Sequence, residues 1–130
     1  MITDPVSDIL IRIKNAQKAG KESLQVPHSK FKYEIIKAME RAGFLMSSEK
    51  RGKKIKKTLE ISLFPKVSSK GLKDVKLISR PSRRVYLGFR KIKSVRGQGG
   101  VLIISTSKGV MTGVEAEKEK MGGQVIAKIW

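Results

Sequence analysis

The chain has 130 residues, enough for one modest domain or two very small ones, and its 39% hydrophobic and 31% charged residues suit a folded, highly charged protein. Its 29 Lys and Arg against 11 Asp and Glu leave a net charge of +18, which calls for a polyanionic partner: nucleic acid first, an anionic membrane surface second. The absence of cysteine excludes disulfides and thiolate metal sites and is compatible with a reducing cytosol. No apolar run exceeds Val101 to Ile104, so no transmembrane helix is expected, and Met1 to Pro5 lacks the pattern of a signal peptide.

In chain order, Asp4-Pro5 opens a helix, Asp capping free amides and Pro suiting the first turn. Val6, Ile9, Leu10 and Ile13 form its apolar stripe, Asp8 and Arg12 pair at i,i+4, Ile11 falls off the stripe toward a second layer, and Gly20 is the stop. Leu24 to Val26 reads as a short strand ended by Pro27. Ser29 caps a second helix with Phe31, Ile35, Ala38, Met39 and Ala42 inward and Gly43 at its end. Phe44 to Met46 and Thr58 to Leu63 read as strands, the latter alternating Leu59, Ile61 and Leu63, with the basic run Lys50 to Lys57 as a hairpin tip. The stretch from Pro65 to Gly71 is linker-like.

The second half is mostly strand: Val75 to Ile78, Val85 to Leu87, Val101 to Ser105 and Gln124 to Trp130. Thr112 and Glu115 make a capping-box match that opens a short helix ending at Gly122-Gly123. The expected architecture is α+β in two small lobes, an N-terminal α-β-α-β-β unit (1–66) and a mainly-β unit (72–130), joined by a linker at about 67–71.

Charge is unevenly placed. Basic residues crowd the stretch from Lys50 to Lys108, whose only acids are Glu60 and Asp74, so one broad region should be strongly positive. Enzyme readings find little support. Ser105 and Lys108 have the spacing of an acyl-transfer nucleophile and its base, but the supporting Ser-Asp-Asn and Lys-Thr-Gly motifs are missing. Arg96 to Gly100 is glycine-rich, but Leu102 breaks the phosphate-loop spacing, and a strand follows rather than a helix. His28 is the single histidine, so no conventional zinc site can be assembled, and Glu115, Glu117 and Glu119 interleave with lysines as a solvated face. No metal and no cofactor are expected.

The cationic segments carry more. Arg80-Pro-Ser-Arg-Arg-Val-Tyr86 and Arg90 to Arg96 follow one another without an intervening acid, and arginine forks suit phosphate. Tyr86 and Phe89 lie among them, where a ring could stack on a base or, for Phe89, pack in the core. The hydroxyls of Ser105, Thr106 and Ser107 leave an apolar strand at fixed positions, Gly109 permits close approach, and Lys108 adds charge. Such groups suit RNA loops and 2′-hydroxyls, and the lack of a recognisable DNA-reading module mildly favours RNA over DNA. The alternative is a non-specific, basic nucleic-acid-compacting protein.

Four blocks carry a family likeness: Asp4-Pro-Val-Ser-Asp-Ile-Leu-Ile-Arg-Ile-Lys-Asn15, Val26-Pro-His-Ser-Lys30, Ser79 to Tyr86, and above all Ser105-Thr-Ser-Lys-Gly-Val-Met-Thr112, with Gly122-Gly-Gln-Val125 and the closing Ile129-Trp130 fitting too. With them the chain resembles, nearly end to end, the eighth universal family of small-subunit ribosomal proteins in its bacterial form. The resemblance implies two α+β lobes, no catalysis, binding to the central domain of small-subunit ribosomal RNA, and a monomer among neighbouring ribosomal proteins. It implies a cytoplasmic ribosome, with an organelle ribosome left open, and, for some members, repression of their own message. In the second lobe the resemblance implies contacts by Ser105, Thr106, Ser107 and neighbouring backbone, with Tyr86 in the same site; the reading of the residues adds Gly109 and, to hold phosphates, Arg80, Arg83, Arg84 and Lys108. In the first lobe the resemblance implies Thr3, Asp4, Ser7, Arg12 and Lys14 and the loop His28, Ser29 and Lys30, to which the charge reading adds the basic hairpin Lys53, Lys54, Lys56 and Lys57. Two positions depart from the family pattern, Gly113 where Asp is usual and Glu117 where a basic residue is usual.

Overall fold

The computed structural model describes residues 5–52, 57–65, 67–68, 70–79, 82–96 and 99–130. The expected cap at Asp4 and the expected contacts of Thr3, Lys53, Lys54, Lys56 and Arg80 lie outside them, as do parts of the linker and of the glycine-rich turn.

Helix α1 (Pro5–Lys18) buries Ile9, Leu10, Ile13 and Ala16, with Val6 packed beside them. It stops where Gly20, at φ +77, lets the Lys21 amide reach back to the Ala16 carbonyl (3.0 Å). Ile11 meets no second layer and is exposed. Strand β1 (Ser23–Pro27) leads to α2 (Lys30–Arg41), where the Ser29 hydroxyl accepts from the Lys32 amide at 3.2 Å. Its buried face is Ile35, Ile36, Ala38 and Met39, while Phe31 is exposed and Ala42 only half-buried, a narrower and rotated stripe.

The expected strand at Phe44 to Met46 does not form. Gly43, at φ +87, caps α2 and commits the Phe44 amide to the Met39 carbonyl, so Leu45 is buried as a plug and pairing begins later. Strand β2 is Ser47–Arg51, a polar edge that periodicity could not reveal, paired antiparallel with β3 (Thr58–Ser62). Strand β3 is central in the order β1-β3-β2 and alternates buried Leu59 and Ile61 as expected. Arg51 opposite Thr58 closes the ladder at the base of the basic hairpin.

The second sheet contains β4 (Val75–Leu77), β5 (Tyr86–Leu87), β6 (Val101–Thr106), β7 (Gly109–Thr112) and β8 (Gly123–Ile129). Its order is β4-β8-β6-β7, with β5 also paired to β8. Strand β6 is covered on both faces. Ile103 joins the larger core with α1, α2, the first sheet, Val110 and Ala127, whereas Leu102 and Ile104 join a smaller core with Ile92, Ala116 and Val125. That double burial is why Val101 to Ile104 reads as a continuous apolar run.

Two further elements were not expected as such: a 3-10 turn over Phe89–Lys91 and the five-residue helix α3 (Ile92–Arg96). Both hang on buried Ile92, a single apolar anchor that shows no period. Helix α4 (Gly113–Lys118) has the full capping box of Thr112 and Glu115. It ends sooner than its glycines suggested: Lys120 takes the left-handed conformation (φ +54), and the Met121 amide returns to the Ala116 carbonyl at 2.9 Å. Gly122 and Gly123 serve the sheet instead.

Candidate RNA interface

The hydroxyl stretch is the tip of the β6–β7 hairpin. Thr106 and Gly109 are the last paired residues, and Ser107 and Lys108 form the exposed turn. Gly109 takes the left-handed value, φ +115. The Thr106 hydroxyl is already committed there, donating to the Gly109 carbonyl at 2.8 Å and accepting from the Lys108 amide at 3.2 Å. Thr106 therefore braces the turn, and Ser107 presents its hydroxyl outward. Lys108 Nζ lies 3.5 Å from a Glu119 carboxylate oxygen, both side chains more than half exposed, so the pair yields at little cost to a phosphate.

Strand register assembles the rest. Tyr86 is opposite Gln124, Gln124 is opposite Ser105, and Ser105 is opposite Val110, so one row crosses four strands. Paired residues share a face, and with strands about 4.8 Å apart Tyr86 stands about 10 Å from Ser105 with Gln124 between them. Tyr86 is 66% exposed as a residue, open to solvent. The structure thus brings Tyr86 and Ser105 together across a residue that sequence reasoning passed over. The available signal was parity: Gln124 is a polar residue two before Ile126, at the open end of the strand.

The glycines before it set the spacing. A Cβ on Gly123 would lie 2.1 Å from the Ser105 carbonyl oxygen, and one on Gly122 would lie 2.3 Å from that of Leu87. Neither has a positive φ, so the demand is for space. Beside the row, the Ser79 hydroxyl accepts from the Val85 amide at 2.9 Å and faces the Val85 carbonyl at 3.3 Å, closing the loop that exposes Arg83 and Arg84. Phe89 packs against the smaller core, with Arg90 5.7 Å from its ring centre.

Behind the hairpin, Arg41 on α2 grips Glu115 on α4 with two hydrogen bonds of 2.9 and 3.2 Å. Burial works to raise the Glu115 carboxyl, but the Arg41 guanidinium and the Thr112 amide outweigh it and hold the group below its ordinary value. Thr112, at the end of β7, is therefore tied through α4 to α2.

Of the residues expected in the first lobe, Ser7, Arg12, Lys14, His28, Ser29, Lys30 and Lys57 are described. On α1, Arg12 pairs with Asp8 at 3.2 Å and borders a cleft with β1, while Lys14 turns to Asp74 at 3.1 Å. Ser7 is half-buried. The Ser29 hydroxyl is used as the α2 cap, and Lys30 is exposed. The His28 amide donates to the Lys57 carbonyl at 3.0 Å, which joins this loop to the base of the basic hairpin. The His28 ring lies 6.0 Å from Tyr33, whose face also holds Lys50 Nζ at 4.3 Å.

Among the described residues the Ser105–Lys108 pair is not arranged for hydrolysis. Ser105 has Val110 and Gln124 as its row partners, neither a base, and Lys108 turns to Glu119. Among the described residues no three His, Cys, Asp or Glu side chains gather as a metal site would require. What the arrangement can do is present an aromatic face, an amide and hydroxyls at fixed spacing, flanked by cations.

A family model described as ribosomal protein S8 matches residues 4–130. The chain is 43% identical over 130 residues to the small ribosomal subunit protein uS8 of Mycoplasmopsis pulmonis, covering 100% of this chain and 98% of that one. It is 42% identical over 138 residues to uS8 of Thermus aquaticus, covering all of both chains, and 38% identical over 136 residues to uS8 of Persephonella marina, again at full coverage.

Proposed function

The chain belongs to the ribosomal protein S8 family, a family of structural proteins rather than enzymes, and from that membership we propose that it binds the central domain of small-subunit ribosomal RNA as a constituent of the small subunit. The observation that carries this reading is the row Tyr86–Gln124–Ser105 ending beside the exposed Ser107-Lys108 turn. An unpaired base can stack on the Tyr86 ring while its edge meets the Gln124 amide and a serine hydroxyl. Such splayed bases are what RNA loops offer and duplex DNA does not. Arg83, Arg84 and Lys108 hold the neighbouring phosphates, and the loop His28 to Lys30 with Lys57 meets a second stretch of RNA.

The site of action is the ribosome in the cytoplasm, among neighbouring small-subunit proteins. A message folded like the ribosomal loop would compete for the same row, so the reading extends to repression of the protein's own message.

The test is binding to a central-domain RNA fragment across a salt series, with duplex DNA and scrambled RNA as competitors. Preference for the fragment by about three decades or more at physiological salt is expected, within the range of specific over non-specific binding. If all three bind alike and weaken in parallel with salt, the protein is a non-specific polycation and the reading fails.

A further inference from the structure

Away from the hairpin, a cleft of about 410 Å³ lies between α1 and the segment running up to β4, bordered by Lys14, Gln17, Lys18, Lys70, Lys73 and Asp74. Its backbone is held on both sides. Gln17, buried in the cleft wall, donates from Nε2 to the Phe64 carbonyl at 3.0 Å. Its carboxamide lies flat against Gly71, where a Cβ would come within 2.7 Å. At the other end the Lys73 and Asp74 amides both donate to the Trp130 carbonyl, at 2.7 and 3.1 Å, and the Trp130 amide donates to Asp74 at 3.2 Å. The lysines of the cleft therefore stand on anchored chain.

Their charges are not balanced. The Asp74 carboxylate accepts from the Val75 amide at 2.8 Å and meets Lys14 at 3.1 Å; these contacts, the amide foremost, hold it below its ordinary value. Among the described residues Lys70 and Lys73 form no ion pair with a carboxylate, and Lys18 meets Asp74 only through space, without a direct ion pair; Lys70 lies 5.7 Å from the Phe64 ring. Among the described residues that line the cleft none is aromatic. Ammonium groups are point charges that take phosphate without reading sequence.

We propose that this cleft is a further RNA-backbone site, seating consecutive phosphates on Lys18, Lys70 and Lys73. It rests on the ribosomal-RNA reading above and adds a sequence-independent contact on a face apart from the hairpin. Lys14, on the α1 rim, is paired with Asp74 at 3.1 Å and is left out of the proposed phosphate seat.

Two experiments test it. The Lys70→Ala/Lys73→Ala double variant should lower the magnitude of the salt slope for the central-domain fragment by about 1.4 to 1.8 and weaken binding about 15- to 30-fold at 0.15 M salt, the loss of two phosphate contacts. An unchanged slope overturns the proposal, as does loss of binding to anionic vesicles without loss of RNA binding, which would make the cleft a membrane contact. The second experiment reads position. The natural chain has no cysteine, so Lys70→Cys and, separately, Ser107→Cys each give a unique thiol for a tethered iron chelate that cuts nearby RNA. Cleavage from both sites, at different places in the fragment, is expected. Cleavage from Ser107→Cys alone overturns the cleft and leaves the hairpin reading intact; cleavage from neither overturns both.

Discussion

Gly123→Ala is the sharpest test of how the proposed interface is built. The added methyl would sit 2.1 Å from the Ser105 carbonyl oxygen, 2.9 Å from its carbon and 3.1 Å from Ile104 Cγ2. Ordinary contact with that oxygen needs well over 3 Å, so strands β6 and β8 must part by about 1 Å at the Ser105–Gln124 pair. The opposing atoms are backbone, so no side-chain rotation can relieve the clash. Overpacking of this kind costs about 1–3 kcal/mol, and the upper end is expected here because two strands must move. For a chain of this length that lowers the melting temperature by about 10 °C. RNA affinity for the central-domain fragment should fall with it, while the salt slope stays constant, because no cation has been touched. The control is Gly88→Ala, where the backbone is at φ −73 and nothing lies within 4 Å of the added methyl. That variant should melt within about 2 °C of the parent. Thermal denaturation followed by circular dichroism and a binding titration decide the matter: if Gly123→Ala melts and binds like Gly88→Ala, the row is not held by glycine spacing and the site's geometry is misread.

Ser107→Ala should weaken binding to the specific RNA by about 1–3 kcal/mol at constant salt slope, whereas Arg84→Ala should weaken binding to every RNA and reduce the slope by about one contact. Identical behaviour of the two in salt titrations would refute the division between reading and holding. Lys120→Gly relieves a left-handed residue at φ +54 and should raise stability by about 0.5–1 kcal/mol in urea denaturation; a loss would contradict the cap geometry. For pH, a depressed carboxyl stabilises the fold above its unfolded value and loses that contribution as pH falls through its folded value. The melting-temperature advantage of the parent over Glu115→Gln should therefore be level at neutral pH and shrink below about 4.5, the ordinary carboxyl value. An advantage that grows on acidification would reverse the assigned sign.

The helical and strand signals that were legible share one property: each is carried by several residues acting together. The α1 stripe, the Leu59–Ile61 alternation and the Thr112–Glu115 box all repeat a relation, and all are found. What escaped depends on single residues or on partners far along the chain. Strand β2 is polar because it is an edge, and only its pairing with β3 makes it a strand. Helix α3 has one buried anchor, Ile92. The Gly122-Gly123 pair looks like a helix stop, and its use against the Leu87 and Ser105 carbonyls requires knowing that β5 and β6 flank it. At the candidate site, residue types were legible and their division was not. Ser105, Thr106 and Ser107 read as three equivalent hydroxyls, yet Thr106 is spent on its own turn.

That division bears on why a buried strand should end in hydroxyls at all. Strand β6 has apolar cover on both faces up to Ile104, so Ser105 has its backbone placed by the packing of two cores. The Thr106 brace then carries that order through the turn to Ser107. A hydroxyl on a mobile loop would lose conformational freedom on meeting RNA, and much of its modest hydrogen-bond gain would be cancelled. Here the loss has been taken during folding, against hydrophobic burial large enough to offset it. Cations need no such placement, because a phosphate can be met from many lysine rotamers. On the proposed reading the same chain would hold two kinds of contact: exposed Arg83, Arg84 and Lys108 to attract any nucleic acid, and the Tyr86–Gln124–Ser105 row to be met by a loop of matching spacing.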